Sequence, residues 1–337
     1  MAKAIGCISG GLDSTLAVCL IRRQNIDVIA MHVLHLWHPN RADAGEKPRA
    51  VQAIEALGVR VHTIDAAEAD LAMVRKPVHG MGKRMNPCID CRIWTLRQAK
   101  ALMEAEGADF VFTGEVLGQR PMSQHRQALQ LAERKADLTD RLVRPLSAKR
   151  LPPSEPERRG LLDRGQLLGI SGRSRKQQME LAREFGITDY PTPAGGCLLT
   201  DPAFAHRLRE LMARQTLTAD GVELLKIGRH FRLDDGTLVV IGRHHDDNLR
   251  LGPLFQAGDV RIEPLDIPGP TTLIRGNATD ENVRIAATLT LRYTRAAPGQ
   301  PQPLAVAPVG REPSTIAVPP ADDAAVRHWI IAPENRL

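Results

Sequence analysis

Ser9, Gly10, Gly11, Asp13, Ser14 and Thr15 fall within the stretch CISGGLDSTLAVCL, residues 7–20, between an apolar strand-like run and an apolar helix-like run. Glycines at a strand-to-helix turn let backbone N–H groups approach phosphate oxygens, because no Cβ stands in the way. The helix N-terminus adds unpaired donors and partial positive charge. The hydroxyls of Ser9, Ser14 and Thr15 can donate as well, and Asp13 can help hold Mg²⁺ or fix the turn. The turn carries neither the dinucleotide fingerprint G-x-G-x-x-G nor the P-loop pattern G-x-x-x-x-G-K-[ST].

A second set of reactive residues is made of thiols. Cys88 and Cys91 form a C-x-x-C in NPCIDC (86–91), at the mouth of an expected helix, and Cys197 follows PAGG much later in the chain. The helix dipole is expected to lower the pKa of thiols placed there. A C-x-x-C grips one face of a metal or cluster, and a distant third cysteine can complete it. Three thiolates on a [4Fe–4S] cube leave one iron open, able to carry an exogenous sulfide as a nucleophile. Two other readings stay open: zinc held by Cys88, Cys91 and Cys197 with a histidine such as His79, or a cluster-free nucleophile and persulfide pair, Cys91 and Cys197. Cys7 and Cys19 lie in apolar runs and are expected in the core. The odd total of five cysteines argues against a disulfide scaffold.

The elements that must position these groups alternate. Residues 3–9 read as a buried strand, and 14–24 as a helix that Ser14 or Asp13 could cap. A second strand is expected over 27–36, a helix over 46–57, a third strand over 58–65, a helix over 90–106 and a fourth strand over 107–115. This order implies an α/β fold with a parallel sheet, whose ligands bind beyond the carboxyl ends of the strands. A helix is expected over 121–140, a proline-rich basic loop over 141–160, a helix over 174–186 and an irregular turn over 190–202. The character changes after Phe204, so 1–203 and 204–337 are read as two domains, the second a smaller α+β one. Residues 219–251 read as strand, turn and strand. The RHHDD run (243–247) admits a metal reading but is better explained as a polar turn, and 296–320 should be extended or partly disordered.

Composition bounds the function. At 337 residues, 43% hydrophobic and 25% charged, the chain has the size and make-up of two globular domains. No apolar run is long enough to span a bilayer, and the N-terminal residues lack the regions of a signal peptide. No membrane partner and a cytoplasmic location are therefore expected. The net charge of +6 lies entirely in the first domain: residues 1–203 hold 29 Lys and Arg against 23 Asp and Glu, while 204–337 hold 16 of each. Residues 141–183 alone carry 11 basic and 4 acidic side chains. That excess points to a polyanion. Candidates for RNA phosphate contacts are Lys149, Arg150, Arg173, Arg175 and Lys176, with Arg141, Arg144, Arg158 and Arg159 beside them; Arg144 and Lys149 could instead serve pyrophosphate. With only eleven Phe, Trp and Tyr, base stacking would be sparse, and shape and a flipped base would carry recognition.

SGGLDS resembles the PP-loop signature of the ATP pyrophosphatases, which cut ATP between its α and β phosphates and leave AMP on a substrate oxygen. TGEVLGQRPMSQ (113–124) and RPLS (144–147) are similar to motifs of the tRNA 4-thiouridine synthetases. NPCIDC with a later GGC resembles the tRNA 2-thiouridine enzymes that bind an iron–sulfur cluster. Cluster-free members typically have Asp where Cys88 stands. The resemblance covers about residues 1–200 and implies a Rossmann-like parallel sheet of PP-loop/HUP type. It implies ATP on Ser9, Gly10, Gly11, Asp13, Ser14, Thr15, Thr113 and Gly114, with Mg²⁺, and a [4Fe–4S] cluster on Cys88, Cys91 and Cys197. Asp13 and the three cysteines are the expected catalytic residues. The expected partners are tRNA and a source of sulfur, either sulfide or a sulfur-donor protein. The 4-thiouridine synthetases carry an RNA-binding extension before the loop, so the grip on RNA is expected elsewhere here. Residues 224–251 resemble the NFACT-R module of tRNA and ribosome factors and supply a candidate. The expected reaction adenylates a uridine carbonyl and exchanges its oxygen for sulfur. The alternatives are a PP-loop enzyme that puts sulfur on a small molecule, an ammonia-using ligase, and a non-catalytic RNA-binding factor.

Overall fold

The computed structural model describes residues 1–38, 47–188, 190, 197–214 and 217–332. The chain divides into two compact units, Met1–Thr200 and Asp201–Leu337.

The first unit runs β1 (Lys3–Ile8), α1 (Leu12–Arg22), β2 (Asp27–Leu34), α2 (Arg49–Glu55), β3 (Arg60–Asp65), α3 (Ala67–Arg75), α4 (Cys88–Ala105), β4 (Phe110–Thr113), α5 (Arg126–Lys135), β5 (Leu142–Val143), α6 (Glu155–Arg158) and α7 (Lys176–Glu184). Its strands form one parallel sheet in the order β3-β2-β1-β4-β5. β1 is central and apolar on both faces, as a strand covered twice must be. Ala4 and Ile8 pack with Ala17, Val18 and Ile21 of α1. Ile5 and Cys7 pack with Ile93, Leu96 and Ala99 of α4. Phe110 and Phe112 of β4 are buried on the α1 side, each contributing about 1.5–3 kcal/mol. The chain leaves β1 toward β2 on one side and reaches β4 on the other, so the crevice of this doubly wound sheet opens where β1 and β4 end.

Local differences from the sequence reading have physical causes. Neither Ser14 nor Asp13 caps α1; the cap is Gly11, with no side-chain bond, because Ser14 lies inside the first turn. The proline-rich stretch 141–160 is not a plain loop. Pro156 sits in the first turn of α6, where its missing N–H costs nothing, and Ser154 and Glu157 close a capping box there. Cys7 is buried, but Cys19 is only half-buried. Residues 191–196, most of the expected turn before Cys197, lie outside the described residues, as does Glu46 at the start of the helix expected over 46–57.

The second unit contains α8 (Pro202–Arg214), α9 (Ala219–Leu225), β6 (Arg229–Arg232), β7 (Leu238–Ile241), α10 (His245–Leu251), β8 (Val260–Pro264), β9 (Thr272–Arg275), α11 (Asp280–Leu291), β10 (Gln302–Pro308), β11 (Ser314–Val318) and α12 (Asp323–Trp329). The antiparallel sheet runs β11-β10-β8-β9-β7-β6, and α11 packs Ala286, Ala287, Leu289 and Leu291 into its core. The expected strand, turn and strand of 219–251 is the β6–β7 hairpin, flanked by helices. The segment 296–320, expected to be extended or partly disordered, supplies two paired strands; Leu304, Val306 and Val318 are buried at alternate positions. Asp247 of the RHHDD run is buried and takes its bonds from Arg243 and the backbone N–H of Gly228, so the run is a structural turn. Among the described residues no helix is long and apolar enough to cross a membrane.

Candidate active site

The turn between β1 and α1 is held open by geometry that glycine supplies. Gly10 has φ +76°, and a Cβ on it would lie 2.6 Å from the Ala50 Cβ. The Ser14 hydroxyl donates to the Gly11 carbonyl at 2.8 Å, and the Thr15 hydroxyl reaches the same oxygen at 3.4 Å. Ser9 Oγ faces Ser14 Oγ at 3.5 Å. Gly114, just past β4, lies directly on this turn: a Cβ there would be 2.5 Å from the Ser14 nitrogen and 2.6 Å from the Asp13 carbonyl. The two segments singled out in the sequence, 9–15 and 113–114, are therefore in contact at the crevice. The Thr113 hydroxyl is spent on Glu115, donating to Oε2 at 3.0 Å.

Asp13 is engaged on one oxygen. Its Oδ2 accepts from Gln119 Nε2 at 2.6 Å and from Arg175 Nη2 at 3.3 Å, and Gln119 accepts in turn from Gln178. Asp13 Oδ1 is shielded from solvent and has no hydrogen-bond partner among the described residues. An orphaned carboxylate oxygen beside a phosphate-sized turn suits a cation.

The thiols gather at the same end of the sheet. Cys88 opens α4 and Cys91 lies one turn on. The Cys197 segment is pinned by Leu198 N–H to the Trp37 carbonyl and by Met85 N–H to the Leu199 carbonyl, which ties it to the segment after β2 and to the loop before α4. Burial raises the Cys88 pKa, and the nearby Cys91 raises it further. Burial pushes Cys197 up to about 12, with Cys91 and Cys88 adding to the rise. The expected lowering by the helix N-terminus is thus overturned at Cys88, where burial outweighs the dipole. The three sulfurs are close enough to repel one another as thiolates.

Cys91 has a partner that the sequence did not reveal. Its sulfur lies 3.7 Å from His35 Nε2. His35 Nδ1–H donates to Asp70 Oδ1 at 2.9 Å, and Asp70 Oδ2 accepts from the Leu36 backbone at 2.7 Å. Asp70 is fully buried. Burial alone would hold the His35 pKa down, but the bonds to Asp70 and Cys91 push it up to about 10. His35 stands just past β2, beside the turn that follows β1, and a histidine at a strand's carboxyl end is the signal that could have found it. Asp70, inside α3, gives no such signal. His79 is taken up by Asp90, with 2.6 Å between Nδ1 and Oδ1. Among the described residues no three His, Cys, Asp or Glu side chains are placed to hold one metal ion.

A buried carboxylate joins the motifs. Glu115 Oε2 accepts from Thr113 and from Arg144 Nε at 3.1 Å, and Oε1 lies 3.1 Å from Arg92 Nε. The two arginines hold the Glu115 pKa below the usual carboxylate range despite its burial. Arg144 also binds Glu133 and the Leu129 carbonyl. It is therefore not the surface phosphate contact that its basic neighbourhood suggested. Lys149 and Arg150 are exposed and reach the Gly165 and Gly169 carbonyls. Arg173 and Lys176 are exposed as well, while Arg175 is turned to Asp13.

Residues 4–226, more than half of the chain, match the family model described as asparagine synthase. The chain belongs to the asparagine synthase family. The glycine turn at 9–15 lies within the matched residues, at the end of the first strand of a Rossmann-like sheet. Residues 228–330 of this family member match a second model, the NFACT protein RNA binding domain. The tRNA-specific 2-thiouridylase MnmA of Nitratidesulfovibrio vulgaris is 36% identical over 97 residues, which are 26% of this chain and 27% of that one. A protein of Methanosarcina mazei named "Probable tRNA sulfurtransferase" is 28% identical over 136 residues, 39% of this chain and 33% of that one. The chain thus spans a third or less of the length of these curated relatives. Among solved structures, a 4-thiouridine synthetase–RNA complex with bound ATP is 19% identical with a TM-score of 0.39, covering 67% of this chain and 52% of that one. The U34-tRNA thiolase NcsA from Methanococcus maripaludis, with its [4Fe–4S] cluster, is 19% identical with a TM-score of 0.32, covering 66% and 69%.

Proposed function

We propose that this PP-loop protein is a tRNA sulfurtransferase of the thiouridine synthetase type, converting ATP to AMP and pyrophosphate. Residues 1–203 carry the chemistry and 204–337 grip RNA. The observation that carries the reading is that the PP-loop and three coupled thiols occupy one sheet edge. Two of the relatives bear tRNA-thiolating names, and the second unit matches an RNA binding domain. ATP lies on Ser9, Gly10, Gly11, Asp13, Ser14, Thr15, Thr113 and Gly114, where backbone N–H groups offset the charge that grows on the phosphates. The uridine carbonyl oxygen attacks the α-phosphorus and pyrophosphate leaves. A sulfur nucleophile then adds to the activated carbon, and AMP departs with the oxygen. Mg²⁺ suits the orphaned Asp13 Oδ1, where it would neutralise phosphate charge.

Cys88, Cys91 and Cys197 would hold a [4Fe–4S] cluster, whose open iron supplies a place for sulfide. The donor set fits: three free thiols, mutually coupled, with the positive charge of Arg92 reaching Cys88 and Cys91. On a cube each of the three thiolates takes a different iron. A second reading, a persulfide carried between Cys91 and Cys197, is favoured by the contact of His35 with Cys91. Exposed Lys149, Arg150, Arg173 and Lys176 would meet RNA phosphates. Arg175 was expected among them, but its bond to Asp13 directs it to the nucleotide side.

The test is anaerobic purification with iron and sulfide analysis, followed by incubation of unmodified tRNA with ATP and sulfide and mass spectrometry of its nucleosides. Iron in the protein together with thiouridine in the RNA is expected. Thiouridine without iron, formed only when a protein persulfide replaces sulfide as the donor, would leave the persulfide route. Neither product, or full activity of Cys197→Ala with ammonia as the nucleophile, would end the proposal.

A further inference from the structure

Cys88, Cys91 and Cys197 are all half-buried, but their partners differ in kind. Cys88 is met by the Asn86 side chain, and Cys197 by the backbone at Leu199. Cys91 is met by an imidazole nitrogen at 3.7 Å. An amide N–H can only donate, whereas an imidazole nitrogen can donate or accept. That ring is fixed by Asp70 and Trp94, and Asp70 is itself held by the backbone. Asp70 takes Nδ1–H at 2.9 Å, the Leu36 backbone holds the other oxygen of Asp70 at 2.7 Å, and Trp94 packs edge-on with ring centroids 6.4 Å apart. Asp70 is a fully buried carboxylate, which is costly unless both oxygens are served. Here both are served, one of them by His35.

We propose that His35, oriented by Asp70, is the positioning residue of Cys91, holding that one sulfur in place through the contact with its imidazole. Cys91 is then the distinct member of the thiol set, and Asp70 acts on it only through the imidazole. The proposal deepens the sulfurtransferase reading and rests on it for its purpose, though the contact itself does not depend on a cluster. Partners of this kind, one step behind a ligand atom, typically change metal retention by about 10–100-fold when removed.

The full-length chain, His35→Leu, His35→Gln and Asp70→Asn are compared in two arms, with circular dichroism and ATP affinity as controls for folding. In the first arm the metal-free proteins are treated with iodoacetamide, and the labelling rates of Cys88, Cys91 and Cys197 are read by peptide mass spectrometry. The expected result is a Cys91 rate set apart from the other two by about tenfold or more. That gap closes in His35→Leu, returns in part in His35→Gln, whose amide can still reach the sulfur, and narrows in Asp70→Asn. In the second arm the proteins are reconstituted anaerobically with iron and sulfide, and iron loss to a chelator is timed. His35→Leu is expected to lose iron about 10–100-fold faster. A folded His35→Leu that matches the parent in labelling pattern overturns the proposal, whatever the second arm shows. A parent chain that takes up no iron overturns the cluster reading alone, and the labelling arm still decides on His35.

Discussion

Gly11→Ala separates a phosphate cradle from a plain connecting turn. Gly11 has φ −84° and ψ 157°, a backbone open to any residue, and a Cβ there would meet only Ser9 Oγ at 3.5 Å. Alanine is a poorer N-cap than glycine, but the stiffer unfolded chain offsets this by about 0.4–1 kcal/mol, so Tm should change little. If the backbone here receives the triphosphate, the new methyl stands where a phosphate oxygen must come. Losing one charge-assisted bond costs about 1.5–3 kcal/mol, or about 10–150-fold in Kd. Gly10→Ala is the contrast. Its φ of +76° and the 2.6 Å approach to Ala50 put the damage in the fold. The left-handed backbone alone costs about 1–2 kcal/mol, and each kcal/mol lowers Tm by about 2–4 °C in a unit of this size. Titration calorimetry with Mg²⁺ and a non-hydrolysable ATP analogue, beside thermal melts, reads both effects. A Gly11→Ala protein with unchanged Tm and unchanged affinity would refute the cradle.

Glu115→Gln should destabilise the first unit by about 3–5 kcal/mol, because Arg144 keeps its buried charge, and part-buried Arg92 its own, without the carboxylate between them; urea unfolding checks it. His230 is buried with its pKa pushed down to about 3 by burial. The unfolded chain binds a proton there below about pH 6.5 and the folded chain does not. Stability is therefore full above that pH and falls by at most about 1.4 kcal/mol per unit as pH drops toward 3, and His230→Gln should flatten the slope in unfolding titrations. Removing an exposed cation, Lys149, Arg150, Arg173 or Lys176, should lower the salt slope of tRNA binding by about 1 for each phosphate that the protein no longer neutralises. Measuring affinity against salt concentration checks this.

What could be read in the sequence, and what could not, divides by the range of the interaction. The turn at 9–15 is local: strand, glycines, hydroxyls and helix follow in order, so its place beyond a central parallel strand was legible. The contact of Gly114 with Asp13 and Ser14 was legible only as a consequence of sheet order, since both segments end neighbouring strands. His35 and Asp70 were not legible, because a hydrogen bond between a strand end and a helix 35 residues on leaves no periodic or compositional trace. Charge misled for the same reason. Arg144 counts toward a basic segment in composition, yet Glu115 and Glu133 consume its guanidinium. Arg175 counts likewise, yet it turns to Asp13. Burial misled in the other direction at Cys88: the helix N-terminus predicted an acidic thiol, but desolvation acts on the charged form wherever water is removed, and the dipole does not offset it.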